Sequence, residues 1–178
     1  MQKTAPRAAI AALGRLDPVM ETRADGIILV RTVQPVPAIG QSLTGYLAHW
    51  AKHAPDRVFL AERETGGGWR NLTYREAEAA VDRLASALLQ HDLSAERPIA
   101  ILSGNDIDHA LMALAAMRIG VPYSPVSPPY SLVSRDFAKL RYCMELMTPG
   151  LVFVSDGAAF APALAALGDT GAARVAVR

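Results

Sequence analysis

Residues 97–134 read RPIAILSGNDIDHALMALAAMRIGVPYSPVSPPYSLVS, a pattern that predicts a β-strand, a helix and a second β-strand in succession. The continuous apolar run at residues 99–102 is typical of a strand that is buried on both faces. Asn105 or Asp106 is expected to cap the helix, because either side chain can accept a hydrogen bond from a free amide in the first turn. Residues 121–126 then form the second strand, which completes a βαβ unit.

The second strand is expected to end in the loop 127–131, because its prolines lack the amide hydrogen that a sheet ladder needs. Downstream, the alternation of helix and short apolar strand continues. It predicts a helix from Ser134 to about Met147, a strand at 151–154, a helix at 160–167 and a strand at 175–177. This alternation predicts an α/β fold with a doubly wound, mainly parallel sheet and helices on both faces.

Residues 1–40 are expected to form an N-terminal extension that contains a β-hairpin turning at Asp25 and Gly26. Residues 41–178 carry the α/β pattern. Their first elements are predicted to be a helix that begins at Ser42, a hairpin that turns at residues 66–68, and a helix whose capping box pairs Thr73 with Glu76.

The composition indicates a globular protein with no strong charge preference for its partners. Of the 178 residues, 51% are hydrophobic and 20% are charged, and the formal net charge is +1. This balance produces no field that would attract nucleic acid or an anionic membrane, and no apolar run approaches the ~20 residues of a membrane span. The single cysteine, Cys143, rules out an internal disulfide and suits a reducing, cytoplasmic location.

Three short motifs are similar to functional sites, but each has a simpler structural explanation. The glycines at 66–68 precede a strand pattern, whereas a phosphate loop has lysine and a hydroxyl residue there, so they favour a hairpin turn. His49 and His53 have the spacing of a zinc pair but lack the intervening glutamate of a metalloprotease. Ser103, with His109 nearby, would suit a small esterase, but it lacks the glycines of a nucleophile elbow. The sequence therefore supports no catalytic residue and no metal ligand.

Polar residues follow each predicted strand of the sheet. Ligands of open parallel sheets bind beyond the carboxyl ends of the strands, so these residues are candidates for lining a ligand site. They are Ser103, Gly104, Asn105, Ser127, Ser131, Ser155 and Asp156. The alternative is that they only terminate strands and cap helices, as such residue types commonly do.

Several short segments are weak signals alone and specific in combination. They are His49–Ala51, Ala54–Arg57, Phe59–Arg63, Ile101–Asn105, Gly120–Tyr123, Ser131–Ser134 and Thr148–Phe153. Together they resemble the N-terminal part of adenylate-forming acyl-CoA ligases, most closely the feruloyl-CoA synthetase type. The resemblance extends over about residues 43–160.

The resemblance implies a ligase that uses ATP and magnesium to convert a carboxylic acid, such as the hydroxycinnamate ferulate, into an acyl-adenylate, and then transfers the acyl group to coenzyme A. The family's phosphate-binding loop, its adenine- and ribose-binding segments and its catalytic lysine have no match in this sequence. The resemblance therefore implies that residues 41–178 are an incomplete N-terminal portion of the large domain. Such a portion is expected to bind no cofactor tightly and to be inactive alone.

The competing hypothesis is a free-standing, non-catalytic α/β module that binds a small molecule or a partner chain. If the sheet edge near Val175 and the apolar helix at 109–119 are uncovered, we expect association through them. Such association would allow a homodimer.

Overall fold

The computed structural model describes residues 18–35 and 42–177. Contacts divide the chain into two units, Met1–Gly40 and Gln41–Arg178. In the first unit, strands β1 (Pro18–Thr22) and β2 (Ile28–Thr32) pair in the antiparallel direction. Gly26 has a φ of 84°, in the left-handed region that glycine adopts without strain, which explains why the turn lies there. The predicted hairpin is confirmed.

The second unit alternates helices and strands along the chain. Its elements are α1 (Leu43–His53), β3 (Val58–Arg63), β4 (Trp69–Thr73), α2 (Tyr74–Leu88), β5 (Ile99–Leu102), α3 (Ile107–Arg118), β6 (Tyr123–Pro125), α4 (Pro129–Leu132), α5 (Ala138–Met147), β7 (Leu151–Val154), α6 (Gly157–Leu167) and β8 (Ala173–Ala176). Strands β3 and β4 form a separate antiparallel hairpin.

The other strands of this unit form a four-stranded parallel sheet in the order β6-β5-β7-β8. Alternate residues of the central strands face opposite sides, which gives two apolar cores. Ile99, Ile101 and Phe153 pack with α1, α2 and α3. Leu102 and Val154 pack with α5 and α6 on the other face. The structure thus confirms the predicted doubly wound α/β fold.

Local capping explains where the helices begin. The Asp106 side chain accepts a hydrogen bond from the His109 amide at 2.7 Å, so Asp106 and not Asn105 is the N-cap of α3. The predicted capping box of α2 is present between Thr73 and Glu76. Ser42 caps α1 through the amide of Gly45 at 3.1 Å.

Two predictions for the region after β6 were wrong in detail. The segment 127–131 is not entirely a loop, because α4 begins within it at Pro129, which supplies a φ suited to a first helical turn. Helix α5 begins at Ala138 and not at Ser134, since the Ser134 hydroxyl instead accepts the Phe137 amide in a turn where Phe137 has a φ of 51°.

Strand β6 is shorter than the predicted 121–126, yet it contains a proline. The ladder to β5 uses the Pro122 carbonyl, which accepts from the Ile99 amide at 3.0 Å, and the Val126 amide, which donates to the Ile101 carbonyl at 2.9 Å. The nitrogen of Pro125 therefore faces away from β5, where a missing donor removes no bond of the ladder.

The last two elements also begin earlier than predicted. Helix α6 starts at Gly157, because Asp156 caps it, and β8 spans Ala173–Ala176. Both shifts leave the order of elements unchanged.

Candidate functional site

The switch point of the sheet lies between β5 and β7. These neighbouring strands run in parallel, but β5 leads into α3 on one face and β7 leads into α6 on the other. A crevice at the carboxyl ends of two such strands is where doubly wound proteins bind ligands. The predicted candidates Ser103, Gly104 and Asn105 follow β5, and Ser155 and Asp156 follow β7, so they lie at the edge of the sheet where such a crevice is expected.

Ser103 and His109 form the closest polar contact at the crevice. Ser103 is 3% exposed, and its Oγ lies 2.6 Å from His109 Nδ1. Both of these atoms lie 3.1 Å from the Gly104 carbonyl oxygen. The Ser103 hydroxyl can donate to the Gly104 carbonyl, and His109 Nδ1 either donates to that carbonyl or accepts from the serine hydroxyl, according to which ring nitrogen carries the proton.

This arrangement lacks a requirement of a serine nucleophile. A substrate must reach the attacking hydroxyl, whereas Ser103 is almost completely buried. The small esterase considered from the sequence is therefore not supported. The contact instead fixes the turn between β5 and α3.

The acidic residues at this edge cap helices. Asp106 caps α3, and Asp156 Oδ1 accepts the Ala159 amide at 2.8 Å at the start of α6. Both carboxylates thus have structural partners. Gly104 and Asn105 are exposed, and Ser155 is buried at the end of β7.

The candidates after β6 reach the same edge through α4, which packs against α6. Ser127 is exposed just before α4. Ser131 is 4% exposed, and its hydroxyl has no hydrogen-bond partner in the part of the chain that the structure describes. A buried hydroxyl without a partner is unfavourable, so Ser131 is the candidate with an unmet hydrogen-bonding capacity.

A polar cavity of about 520 Å³ adjoins the turn after β5. Its lining residues are Glu62, Arg63, Glu64, Thr65, Arg70, Asn105 and Asp106. At its wall, Arg70 contacts Glu62 at 2.9 Å and Asp108 at 3.3 Å. Arg70 donates these hydrogen bonds, and the bond to Asp108, followed by the bond to Glu62, raises the pKa of Arg70 against the opposing effect of burial.

Glu62 also ties the β3–β4 hairpin to α3. Its second carboxylate oxygen accepts the Ile107 amide at 2.7 Å, so a strand residue satisfies a free amide of the helix N-terminus. Glu62, Arg70 and Asp108 were not predicted as site residues, because residues so far apart in the chain carry no recognisable spacing. Among the predicted candidates, only Asn105 lines this cavity.

The residues at the ends of β5 and β7 do not provide a binding site for the phosphates of a nucleoside triphosphate. Residues 103–106 and 155–157 include no lysine or arginine, and they bring two carboxylates to the crevice. The hydroxyl of Ser103 is already engaged. In residues 18–35 and 42–177, no group of three or more His, Cys, Asp or Glu side chains is arranged to hold a metal ion. The helices described there include none long and apolar enough to cross a membrane.

A family model described as "AMP-binding enzyme" matches residues 47–177. The chain belongs to this family. It is 33% identical over 87 residues to phosphinothricin tripeptide synthetase PhsB of Streptomyces viridochromogenes, an alignment that covers 49% of this chain and 7% of that protein. The chain thus spans less than a tenth of that curated relative.

Solved structures show the same fold. A fatty acyl-adenylate ligase from L. pneumophila, in complex with acyl adenylate and pyrophosphate, aligns with a TM-score of 0.61 at 15% identity over 76% of this chain and 23% of that one. MatB from Rhodopseudomonas palustris, solved with ATP bound, aligns with a TM-score of 0.51 at 21% identity over 74% of this chain and 25% of that one. At these identities the likeness shows the fold alone.

Proposed function

We propose that this chain is the N-terminal portion of an AMP-forming acid–CoA ligase. The observation that carries the proposal is the family match over residues 47–177, which includes every strand of the parallel sheet. The longer enzyme would activate a carboxylic acid with ATP and magnesium to an acyl-adenylate and then form the thioester with coenzyme A. It would act in the cytoplasm.

The acid in this proposal is a hydroxycinnamate such as ferulate. Support comes from the segments that resemble feruloyl-CoA synthetase, among them Ile101–Asn105 and Gly120–Tyr123. Within the enzyme, residues 41–178 would supply a scaffold that follows an N-terminal extension, residues 1–40. The strand-end candidates would border the ligand crevice without performing the chemistry.

The chain alone is expected to be inactive. Its strand ends bring no lysine or arginine to the crevice, so the transferring phosphate would find no charge stabilisation there. The cations and phosphate-binding loop that the reaction needs would have to come from other parts of the enzyme.

The test compares the 178-residue chain with the product of the complete gene that encodes it. Each purified protein is assayed for acid-dependent ATP–pyrophosphate exchange and for thioester formation, with ferulate, 4-coumarate and a fatty acid as substrates. We expect ferulate-dependent exchange and feruloyl-CoA from the complete product and neither from the chain alone. Activity of the chain alone would contradict the scaffold role.

Activation of an amino acid is the second candidate function, because the curated relative PhsB is a peptide synthetase. The same exchange assay with a mixture of amino acids separates the two candidates. ATP–pyrophosphate exchange that depends on an amino acid and not on ferulate would show that the substrate is an amino acid and not a hydroxycinnamate. A complete gene product that exchanges with no acid would leave the non-catalytic binding module as the explanation.

A further inference from the structure

The turn that joins β5 to α3, residues 103–106, is held at both of its ends. At one end, Ser103 follows β5, which lies inside the sheet with a strand on each side. At the other end, α3 begins at Ile107, and the amides of its first turn need acceptors from outside the helix. Asp106 accepts the His109 amide. Because the turn has only four residues, the position of the Ile107 amide sets its course.

Glu62 accepts the Ile107 amide from a different part of the fold. Its Oε2 atom lies 2.7 Å from that amide nitrogen, and its side chain is 18% exposed. Its other oxygen, Oε1, accepts from Arg70, which lies directly opposite Glu62 in the β3–β4 hairpin. Arg70 also donates to Asp108 in the first turn of α3. The hairpin thus holds the start of α3 through a carboxylate that its cross-strand neighbour orients.

We propose that Glu62 is a positioning residue for acid binding in the enzyme and that it acts through the turn 103–106. The proposal rests on the proposed function, because it requires an acid that binds beyond the carboxyl ends of β5 and β7. Glu62 does not contact the acid in this proposal. Its bond to the Ile107 amide fixes where Gly104 and Asn105, the exposed residues of the turn, lie relative to the bound acid. Displacement of the turn would weaken binding without removing a reacting group.

The chemistry of the turn indicates which ligand it affects. Residues 103–106 contain no lysine or arginine to hold the phosphates of ATP, and the exposed residues Gly104 and Asn105 are uncharged. The amide side chain of Asn105 can donate to a carboxylate and can also accept from a hydroxyl group. We therefore expect displacement of the turn to change the KM for the acid and not the KM for ATP.

The first test uses the 178-residue chain and does not depend on activity. In Glu62→Ala the Ile107 amide loses its acceptor, so its hydrogen exchange, measured by NMR, should become at least about tenfold faster, and the amide signals of residues 103–106 should shift. Glu62→Gln keeps an oxygen that can accept this amide, so its exchange should be slower than in Glu62→Ala. Unchanged signals and unchanged exchange in Glu62→Ala would overturn the proposal. Circular dichroism checks that both variants remain folded.

Glu78 provides a matched control at the opposite end of α3. Its side chain is 20% exposed, and it accepts from Arg118, the last residue of the helix, at 2.7 Å. Glu78→Ala therefore removes an ion pair of similar burial from the same helix, roughly 16 Å along its axis from the turn 103–106. The signals of that turn should stay in place, which separates positioning of the turn from a general loosening of α3.

The second test measures acid-dependent ATP–pyrophosphate exchange by the complete gene product. Glu62→Ala should raise the KM for the acid at least about tenfold, and should change kcat and the KM for ATP by less than about twofold. Glu62→Gln should raise the KM for the acid less, and Glu78→Ala should leave it unchanged. An active Glu62→Ala enzyme with an unchanged KM, or an equal rise in Glu78→Ala, would overturn the proposal. A wild-type enzyme that exchanges with no acid would instead contradict the proposed function, and the NMR result would then decide whether Glu62 positions the turn.

Discussion

Gly150 is a position where the backbone leaves no room for a side chain. A Cβ added there would lie 2.8 Å from the Asp92 carbonyl oxygen and 3.1 Å from that of Arg97, and neither atom can rotate away. We expect Gly150→Ala to lower the free energy of unfolding in urea by about 2 kcal/mol.

Gly104→Ala is the matched control for this substitution. Nothing lies within 4 Å of its added Cβ, and no left-handed φ is recorded there. The control should unfold at nearly the wild-type urea concentration. An equal loss of unfolding free energy in both variants would mean that the close approach of residues 92–97 to Gly150 does not cause the destabilisation.

Single residues also show why the site was only partly predictable. The candidates at the strand ends could be predicted from local sequence patterns, and so could the proximity of Ser103 to His109. The Gly104 carbonyl oxygen, which lies 3.1 Å from Ser103 Oγ and from His109 Nδ1, reaches both atoms only in the folded turn. Glu62 reaches the Ile107 amide across 45 residues of chain, a contact that no local spacing reveals.

The start of α2 illustrates an element whose stability depends on pH. Glu76 accepts hydrogen bonds from the Thr73 amide at 2.8 Å and the Thr73 hydroxyl at 2.7 Å. These bonds, the backbone one first, hold the pKa of Glu76 below its usual 4.5. A lowered folded pKa stabilises the native state above the unfolded value, and this stabilisation is lost as pH falls through the folded pKa.

Substitution of Glu76 should therefore change the free energy of unfolding only at pH values where its carboxylate is ionised. Glu76→Gln should lower the free energy of unfolding at neutral pH, and its urea curve should converge with that of the wild type as the pH falls below the folded-state pKa of Glu76. Glu145 is an exposed carboxylate in α5, and Glu145→Gln is the control. Its urea curve should follow that of the wild type at every pH. A Glu76→Gln defect that persists unchanged at low pH would contradict the role of its charge.

Helix starts could be predicted where the capping partners are close in sequence. Thr73 with Glu76 and Ser42 with Gly45 are such cases. Ser134 was wrongly predicted to begin α5. Its hydroxyl accepts the Phe137 amide in a turn that precedes the helix, which begins at Ala138. Pro125 does lie in β6, within the predicted strand 121–126, but only the register shows that its nitrogen faces away from the ladder.

At the scale of the whole molecule, the parallel sheet is most protected at its centre. Every residue of β5 and β7 is buried, and each strand has a neighbour on both sides. We expect the amides of residues 100–102 and 152–154 to exchange with deuterium most slowly, as measured by NMR or mass spectrometry. The β3–β4 hairpin is paired on one side only, so equally slow exchange in β3 would contradict this order.

The strand order has a consequence for the chain while it is being synthesised. Ile99 of β5 pairs with Tyr123 on one side and with Leu151 on the other. A nascent chain can close the first pairing as soon as β6 leaves the ribosome, but the other side of β5 stays open until β7 follows. During that interval a wholly apolar strand is accessible to other nascent chains and to chaperones that hold extended apolar segments. Translation speed between residues 126 and 151 therefore sets how long the chain is exposed to aggregation.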